Sequence, residues 1–331
     1  MELQSFLGND PYHYFKEFNI MIENQYSITG ISIGFPVYNG ELFLKKALDS
    51  LLNQTYSNFE LIISDNNSTD STQRICQEYA KNDKRIQYIR QEKNIGASSN
   101  FYFVLTKAKR KYFMWAAVDD HWDTNFIQKN LTVLQCNSNV VCSISKIDTY
   151  GFSDNDIIKH NIPTVNYPKF LKSFVKNRRK KLICASFPIS GSYSKKIRSF
   201  LKNPGASSRF YGLYRTNQIK ECYIKKPFIG VEFAISLNLL KLGDFFELGE
   251  ILFHRFDSGW STFGIINMAK QTNSNFFGIV FPWTRFNSWC LKNIGLKNIL
   301  KNFDIYARMN IGGTFFVGVD LVLKIRYFFS K

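Results

Sequence analysis

Cysteine is sparse and scattered in this chain: six among 331 residues, at positions 76, 136, 142, 184, 222 and 290, with no C-x-x-C pair. That spacing argues against a zinc framework or a disulfide scaffold and predicts reduced thiols in a cytosolic protein. No uninterrupted apolar stretch reaches the ~18 residues that a membrane-spanning helix needs. The start, MELQSFLGNDPYHYFKEF, has neither a basic opening nor an apolar run, so no signal peptide is expected. No G-x-G-x-x-G follows the first strand, which disfavours a nicotinamide-dependent dehydrogenase. Zinc-finger and RNP-type signatures are missing as well, so no nucleic-acid partner is expected. No internal repeat is visible.

One further shortage is local. Residues 1–150 carry 16 acidic against 15 basic side chains, whereas residues 151–331 carry only 10 against 28. The first half is close to neutral and the second is a polycation. Such asymmetry points to an anionic partner, whether membrane surface, nucleic acid or phosphorylated substrate. Aromatics are plentiful instead, at 16% with 32 Phe and 17 Tyr. They suit a large core, and they also suit an apolar face pressed against a bilayer.

Residues 1–28 are polar and irregular and read as an extension. From Ile31 the pattern alternates between buried strands and amphipathic helices. Ile31–Phe35 reads as a strand ended by Pro36 and the turn at Asn39–Gly40. Leu44, Ala47, Leu48, Leu51 and Leu52 then recur at helical spacing over about 41–53. Phe59–Ser64 reads as a second strand, closed by Asp65–Asn66–Asn67–Ser68. The Ser68/Thr69/Asp70 cluster is cap material for a helix over about 70–82. Ile86–Arg90 is a third strand; Asn94–Ile95–Gly96 turns into a helix; Tyr112–Ala117 is a fourth strand ending at Val118–Asp119–Asp120. A helix over about 123–135 and a strand over about 139–147 follow. This alternation predicts an α/β fold with a mostly parallel central sheet flanked by helices. After about 150 the periodicity weakens, although Val231–Leu242 reads as a helix and Phe245–Leu252 as a strand. The tail from about 262 is basic, aromatic and mainly helical, and its final Phe/Arg stretch suits either core packing or an interfacial helix.

In such sheets ligands bind outside the carboxyl ends of the strands, and that is where the chemistry-bearing residues fall. Asp119–Asp120 follows a strand and precedes a helix, which fits an acidic helix cap. It equally fits hard oxygen ligands for Mg²⁺ or Mn²⁺ bridging a diphosphate. Asp65–Asn66 ends the second strand, where the Asn66 amide can offer a donor and an acceptor to a base edge, or simply make a turn. The loop Pro36–Gly40 contains no Lys or Arg, unlike the basic glycine-rich loop expected of a nucleotidyltransferase, the rival nucleotide-sugar reading.

Five segments carry a family resemblance. They are Ile31-Ser-Ile-Gly-Phe-Pro-Val-Tyr-Asn-Gly40, Ser50-Leu-Leu-Asn-Gln-Thr-Tyr56, Phe59-Glu-Leu-Ile-Ile-Ser-Asp-Asn-Asn-Ser-Thr-Asp70, Asn94-Ile-Gly96 and Trp115-Ala-Ala-Val-Asp-Asp120. In this order they resemble the family-2 glycosyltransferases of the GT-A fold, over about 30–150 and more weakly to about 261. The resemblance implies an inverting, metal-dependent enzyme using a nucleotide-diphosphate sugar, with a glycan or lipid-linked glycan as acceptor. It implies residues 29–150 as the nucleotide-sugar-binding half and 151–261 as the acceptor-binding half; beyond the resemblance, the basic and aromatic composition of 262–331 suits a helical region able to associate with a membrane. The resemblance places Pro36, Tyr38, Asp65, Asn66 and Asn94 beside the nucleotide, and Asp119 and Asp120 at the diphosphate and metal. Glu232, before a helix, takes the place of the general base, with a helix-start Glu as the plain alternative. Arg255 neutralises phosphate, Asp257 stands where the family often has a metal-binding His, and His254 reads as structural. Two departures are visible: Val118 replaces the first Asp of the usual Asp-x-Asp, and Asn66 replaces a commoner second Asp. With the basic second half, the expected setting is the cytoplasmic face of an anionic membrane.

Overall fold

Ile31, Ile33, Phe35 and Val37 point to one face of the first strand, β1 (Ile31–Val37), while Ser32, Gly34 and Pro36 point to the other. All seven are buried, as a strand covered on both faces requires. The aliphatic face meets Leu44, Leu48 and Leu51 of α1 (Glu41–Leu52) in one core layer. The small-residue face lets the opposite layer come close: a Cβ on Gly34 would lie 2.7 Å from Val104 and 2.9 Å from the Phe113 ring. The structure, a computed structural model, describes residues 30–151, 187–203, 209–256, 266, 268–269, 272 and 274–329.

The strands that follow are β2 (Phe59–Asp65), β3 (Ile86–Arg90), β4 (Tyr112–Trp115), β5 (His121–Trp122), β6 (Val140–Tyr150), β7 (Leu213–Arg215) and β8 (Asp244–Phe256). They form one eight-stranded sheet in the order β3-β2-β1-β4-β7-β6-β8-β5. Pairs β1/β2, β1/β4, β2/β3 and β6/β8 are parallel, while β4/β7, β6/β7 and β5/β8 are antiparallel. Two successive antiparallel pairings through β7 return β6 to the direction of β4. Six strands therefore run the same way, and the carboxyl ends of β1, β2, β3, β4, β6 and β8 share one rim.

The helices of the first half are α1, α2 (Thr72–Asn82), α3 (Ala97–Lys107) and α4 (Phe126–Cys136). Then come α5 (Tyr193–Lys202), α6 (Thr216–Cys222) and α7 (Val231–Leu242). Helices α1, α2 and α4 cover one face of the sheet, and α3, α5 and α7 the other. Beyond the sheet lie α8 (Phe276–Val280), α9 (Thr284–Ile294), α10 (Leu296–Lys301) and α11 (Phe303–Phe329). Among the described residues no helix is long and apolar enough to cross a membrane. Cys76, Cys136, Cys142, Cys222 and Cys290 are free thiols.

Several boundaries differ from the sequence expectation. Pro36 does not end β1, which continues to Val37. The Gly34 carbonyl accepts from Ala116 and the Val37 carbonyl from Asn66, so Pro36 turns its missing N–H toward β4 beyond that strand's last residue. No ladder hydrogen bond is lost there. Helix α2 starts at Thr72, whose N–H donates to Asp70 Oδ1 (3.0 Å), while the remaining oxygens of the expected cap cluster bind the β1–α1 loop. Ser68 Oγ accepts from Asn39 N–H (3.0 Å) and Asp70 Oδ2 from Glu41 N–H (3.1 Å). Strand β4 stops at Trp115, two residues early, so β1 runs on past it at the rim where sheets of this kind bind ligands in a crevice. The helix expected from about 123 is preceded by the two-residue β5 and begins at Phe126. Strands β6 and β8 run longer than expected, to Tyr150 and Phe256, because each supplies the other's parallel partner.

Candidate active site

The crevice lies where β1 and β4 part, between a helix-ward turn on one side and the Asp119–Asp120 loop on the other. Gly40 joins the two: a Cβ there would sit 2.6 Å from Val118 Cγ2 and 2.9 Å from Val37 Cγ2, so only hydrogen fits. Gly40 N–H also donates to Thr72 Oγ1 (2.8 Å) and Thr69 N–H to Asn39 Oδ1 (2.9 Å). These bonds lace the β1–α1 loop to the β2–α2 loop. Asn39 and Asn67 supply the left-handed turns this needs (φ 49° and 62°), a conformation Asn tolerates better than most residues.

Asp65 is fully buried and grips its own loop. One oxygen accepts Ser68 N–H (2.8 Å); the other accepts the Tyr88 hydroxyl (2.8 Å) and Arg90 Nη1 (3.1 Å). The other guanidinium nitrogen of Arg90 donates to Asn67 Oδ1 and the Ser68 carbonyl. Burial and the Asp65 hydrogen bond push the Tyr88 phenol well up. Asn66, also buried, donates to Asn94 Oδ1 (2.9 Å) and accepts from Ile95 N–H (2.8 Å). Asp65, Asn66 and Asn94 thus meet where the adjacent strands β2 and β3 end, and the contacts visible there hold the loops in shape. Pro36 is buried beneath them, while Tyr38 stands 43% exposed at the lip.

The acid pair sits one strand along. Asp120 is buried, and its Oδ1 accepts Phe256 N–H (3.0 Å), which ties the β4–β5 loop to the end of β8. The Asp119 carbonyl accepts the Tyr150 hydroxyl (2.5 Å) from the end of β6. Burial raises the Asp119 carboxyl, and the Arg255 charge pulls it back. Asp120 is pushed well above the ordinary range, first by burial and then by the Asp119 charge, with Arg255 and the Phe256 N–H opposing. Arg255 lies over the Tyr211 ring, 5.1 Å from its centre. Tyr211 precedes β7, which starts at this rim because it runs antiparallel. Its phenol is raised by burial and by Asp120, Asp119 and Glu232, against the pull of Arg255.

Glu232 belongs to the first turn of α7, which leads to the far end of β8 and so begins at the same rim. Burial raises its carboxyl, and Arg255 again opposes. The Arg255 charge therefore acts on three acids, the adjacent Asp119 and Asp120 and, more than a hundred residues on in the chain, Glu232. Two adjacent carboxylates raised by burial, Asp120 also by the Asp119 charge, with the Arg255 charge opposing, fit a hard divalent cation. Among the described residues no group of three or more His, Cys, Asp or Glu converges as a metal cage. Asp257 lies outside the described residues.

A second cluster backs the loop. His254 stacks on His121 (4.7 Å, 15°) and pairs with Asp123 (3.1 Å), while Lys46 Nζ sits 4.2 Å over the Tyr150 ring. Burial, then Lys46 and His254, push His121 down to about 4, so it is neutral at physiological pH. Sequence reasoning missed Tyr88, Arg90, Tyr150 and Tyr211. Tyr88 and Arg90 alternate on β3 and were legible only as strand residues; Tyr150 and Tyr211 carry no local signal.

Comparisons with known proteins bear on the family and the fold. A model of the family described as Glycosyl transferase family 2 matches residues 32–197, half of the chain. Glycosyltransferase GlyA of Streptococcus pneumoniae is 37% identical over 98 residues, covering 30% of this chain and 14% of that protein. The chain spans less than half the length of the curated relatives it matches. Two solved structures share the fold. One is S. aureus TarS 1–349 in complex with UDP-GlcNAc: TM-score 0.51, 15% identity, covering 73% of this chain and 64% of that one. The other is the mannosyltransferase PcManGT of Pyrobaculum calidifontis in complex with GDP-Man and Mn²⁺: TM-score 0.53, 10% identity, covering 94% and 81%. The architecture is the GT-A type expected from the sequence.

Proposed function

Since the chain belongs to glycosyl transferase family 2, we propose that it moves a sugar from a nucleoside-diphosphate donor to a hydroxyl of a glycan or lipid-linked glycan, with inversion. The single observation that carries this reading is the acid pair Asp119–Asp120 after β4, tied to the ends of β6 and β8 by the Tyr150 hydroxyl and the Phe256 N–H, within reach of the Arg255 charge that also acts on Glu232. The donors named for the two fold neighbours, UDP-GlcNAc and GDP-Man, support a nucleoside-diphosphate sugar without choosing base or sugar.

The β1–α1, β2–α2 and β3–α3 loops form the nucleoside side, shaped by Pro36, Asp65, Asn66 and Asn94, with Tyr38 at the lip. Asp120 and Asp119 would hold Mn²⁺ or Mg²⁺, which when bound neutralises diphosphate charge as the leaving group departs. Arg255, fixed over Tyr211, adds a protein cation facing the same phosphates. Glu232, made more basic by burial, accepts the proton of the acceptor hydroxyl as that oxygen attacks the anomeric carbon from the face opposite the diphosphate. Tyr150 is a positioning residue: its hydroxyl on the Asp119 carbonyl keeps the diacid loop against β6.

The test is nucleoside-diphosphate release from a panel of nucleotide sugars, with and without Mn²⁺, on wild type and on Asp120→Ala. One or a few donors should turn over in wild type, while the variant should lose release and remain folded, as read by circular dichroism. Full release by Asp120→Ala without metal would remove the carboxylate's role.

A further inference from the structure

Among the described residues the exposed apolar surface is concentrated in one place: of sixteen large hydrophobic side chains open to solvent, eleven lie between residues 276 and 322, on α8–α11 and their connections. Helix α11 shows the arrangement most clearly. Its inward side is marked by buried Ile305 and Tyr306 and by Gly313, where a Cβ would stand 2.6 Å from the Trp283 ring. Its outward side, at helical spacing, carries Arg308, Ile311, Phe315 and Val322, and the last three are 72%, 65% and 64% exposed. On a helix flanking a soluble core this side is ordinarily polar. Helix α10 repeats the theme with Leu296, Lys297, Leu300 and Lys301 all exposed on one side.

The charge around this surface is mostly of one sign. Residues 276–329 contain seven Lys and Arg against two Asp. Of the two, the exposed Asp304 is paired with Arg198 (3.2 Å). Basic heads alternate with apolar side chains at the same surface, the composition that lies in the interface of an anionic bilayer. No helix among the described residues is long and apolar enough to cross. A second copy would set two polycationic faces against each other.

We propose that α8–α11 form a peripheral, non-spanning docking face for an anionic lipid bilayer, with Ile311, Phe315 and Val322 at the acyl boundary and Lys297, Lys301 and Arg308 at the headgroups. None of these side chains is among the crevice residues, so the inference stands apart from the sugar chemistry. The experiment is co-sedimentation of the full chain with vesicles of phosphatidylcholine alone, or mixed about 3:1 with phosphatidylglycerol, at low and high salt. Two variants accompany it, Ile311→Ser/Phe315→Ser and Lys292→Gln/Lys297→Gln/Lys301→Gln. Wild type binds the anionic vesicles and binds neutral ones far more weakly. The glutamine variant loses affinity by about a hundredfold at low salt, and the serine variant by tenfold or more at either salt. Both keep the wild-type melting temperature and nucleoside-diphosphate binding. Absence of binding to anionic vesicles, or wild-type binding by the glutamine variant, overturns the proposal. So does a concentration-dependent dimer that the serine substitutions abolish, which would make a second copy the occupant.

Discussion

Replacing Asp65 by Ala tests whether the nucleoside side of the crevice is held as the structure describes. The carboxylate is fully buried and accepts from Ser68 N–H, the Tyr88 hydroxyl and Arg90. Its loss strands a buried N–H and a partly buried hydroxyl, each costing about 1–3 kcal/mol. Breaking a buried ion pair from one side costs about 3–5 kcal/mol, but the Arg90 side chain keeps 30% of its surface in water. Water therefore screens that contribution, and we expect a total near the low end, about 3–4 kcal/mol. For a chain of this size each kcal/mol shifts Tm by about 2–3 °C, giving a drop of roughly 6–12 °C. Chemical denaturation measures the stability, and calorimetric titration with nucleoside diphosphates measures whether the loop still binds. Asp65→Asn keeps an acceptor for Ser68 N–H and should lose about half as much. Without the carboxylate, the raised Tyr88 phenol should ionise at lower pH, read by ultraviolet titration. A cost below about 1 kcal/mol for Asp65→Ala, with donor affinity intact, would refute the view that this carboxylate holds the loop.

Glu232→Gln should remove turnover while keeping donor binding; retained turnover would move the base elsewhere. Because burial raises Glu232, its protonated form accumulates as pH falls through a value above the free carboxylate's ~4.3. The acid limb of the pH–rate profile should lie above that point, and a limb at or below it would contradict the assignment. Asp119 and Asp120 are likewise raised, so the folded state holds those protons more tightly than the unfolded one, and their contribution to stability is lost as pH rises. Asp120→Asn should therefore raise the metal-free melting temperature at neutral pH even as transfer is lost; no gain would mean the pair is not under repulsion. Gly40→Ala places a Cβ 2.6 Å from Val118 and should cost about 1–3 kcal/mol. Val118→Ala should restore much of that stability in a denaturant series, and failure to do so would locate the strain elsewhere.

The local rhythm of the chain was enough to determine the first half of the sheet. Burial on both faces of β1 and β2, Leu44–Leu51 at helical spacing and polar residues after each apolar run all follow from short stretches of sequence. They also placed Asp65, Asn66, Asn94, Asp119 and Asp120 at strand ends, and motif order supplied Glu232 and Arg255. The remainder came from tertiary structure. The three-residue β7 is too short to show periodicity, yet its reversed direction sets β6 and β8 parallel to β4 and delivers Tyr150, Tyr211, Arg255 and Phe256 to one rim. Cross-strand partners such as Tyr88 and Arg90 on Asp65 depend on register between segments far apart in the chain, which no local pattern encodes. The same holds for the acids around Arg255: a carboxylate's burial, and the charge it meets there, belong to the packed molecule and not to any stretch of residues.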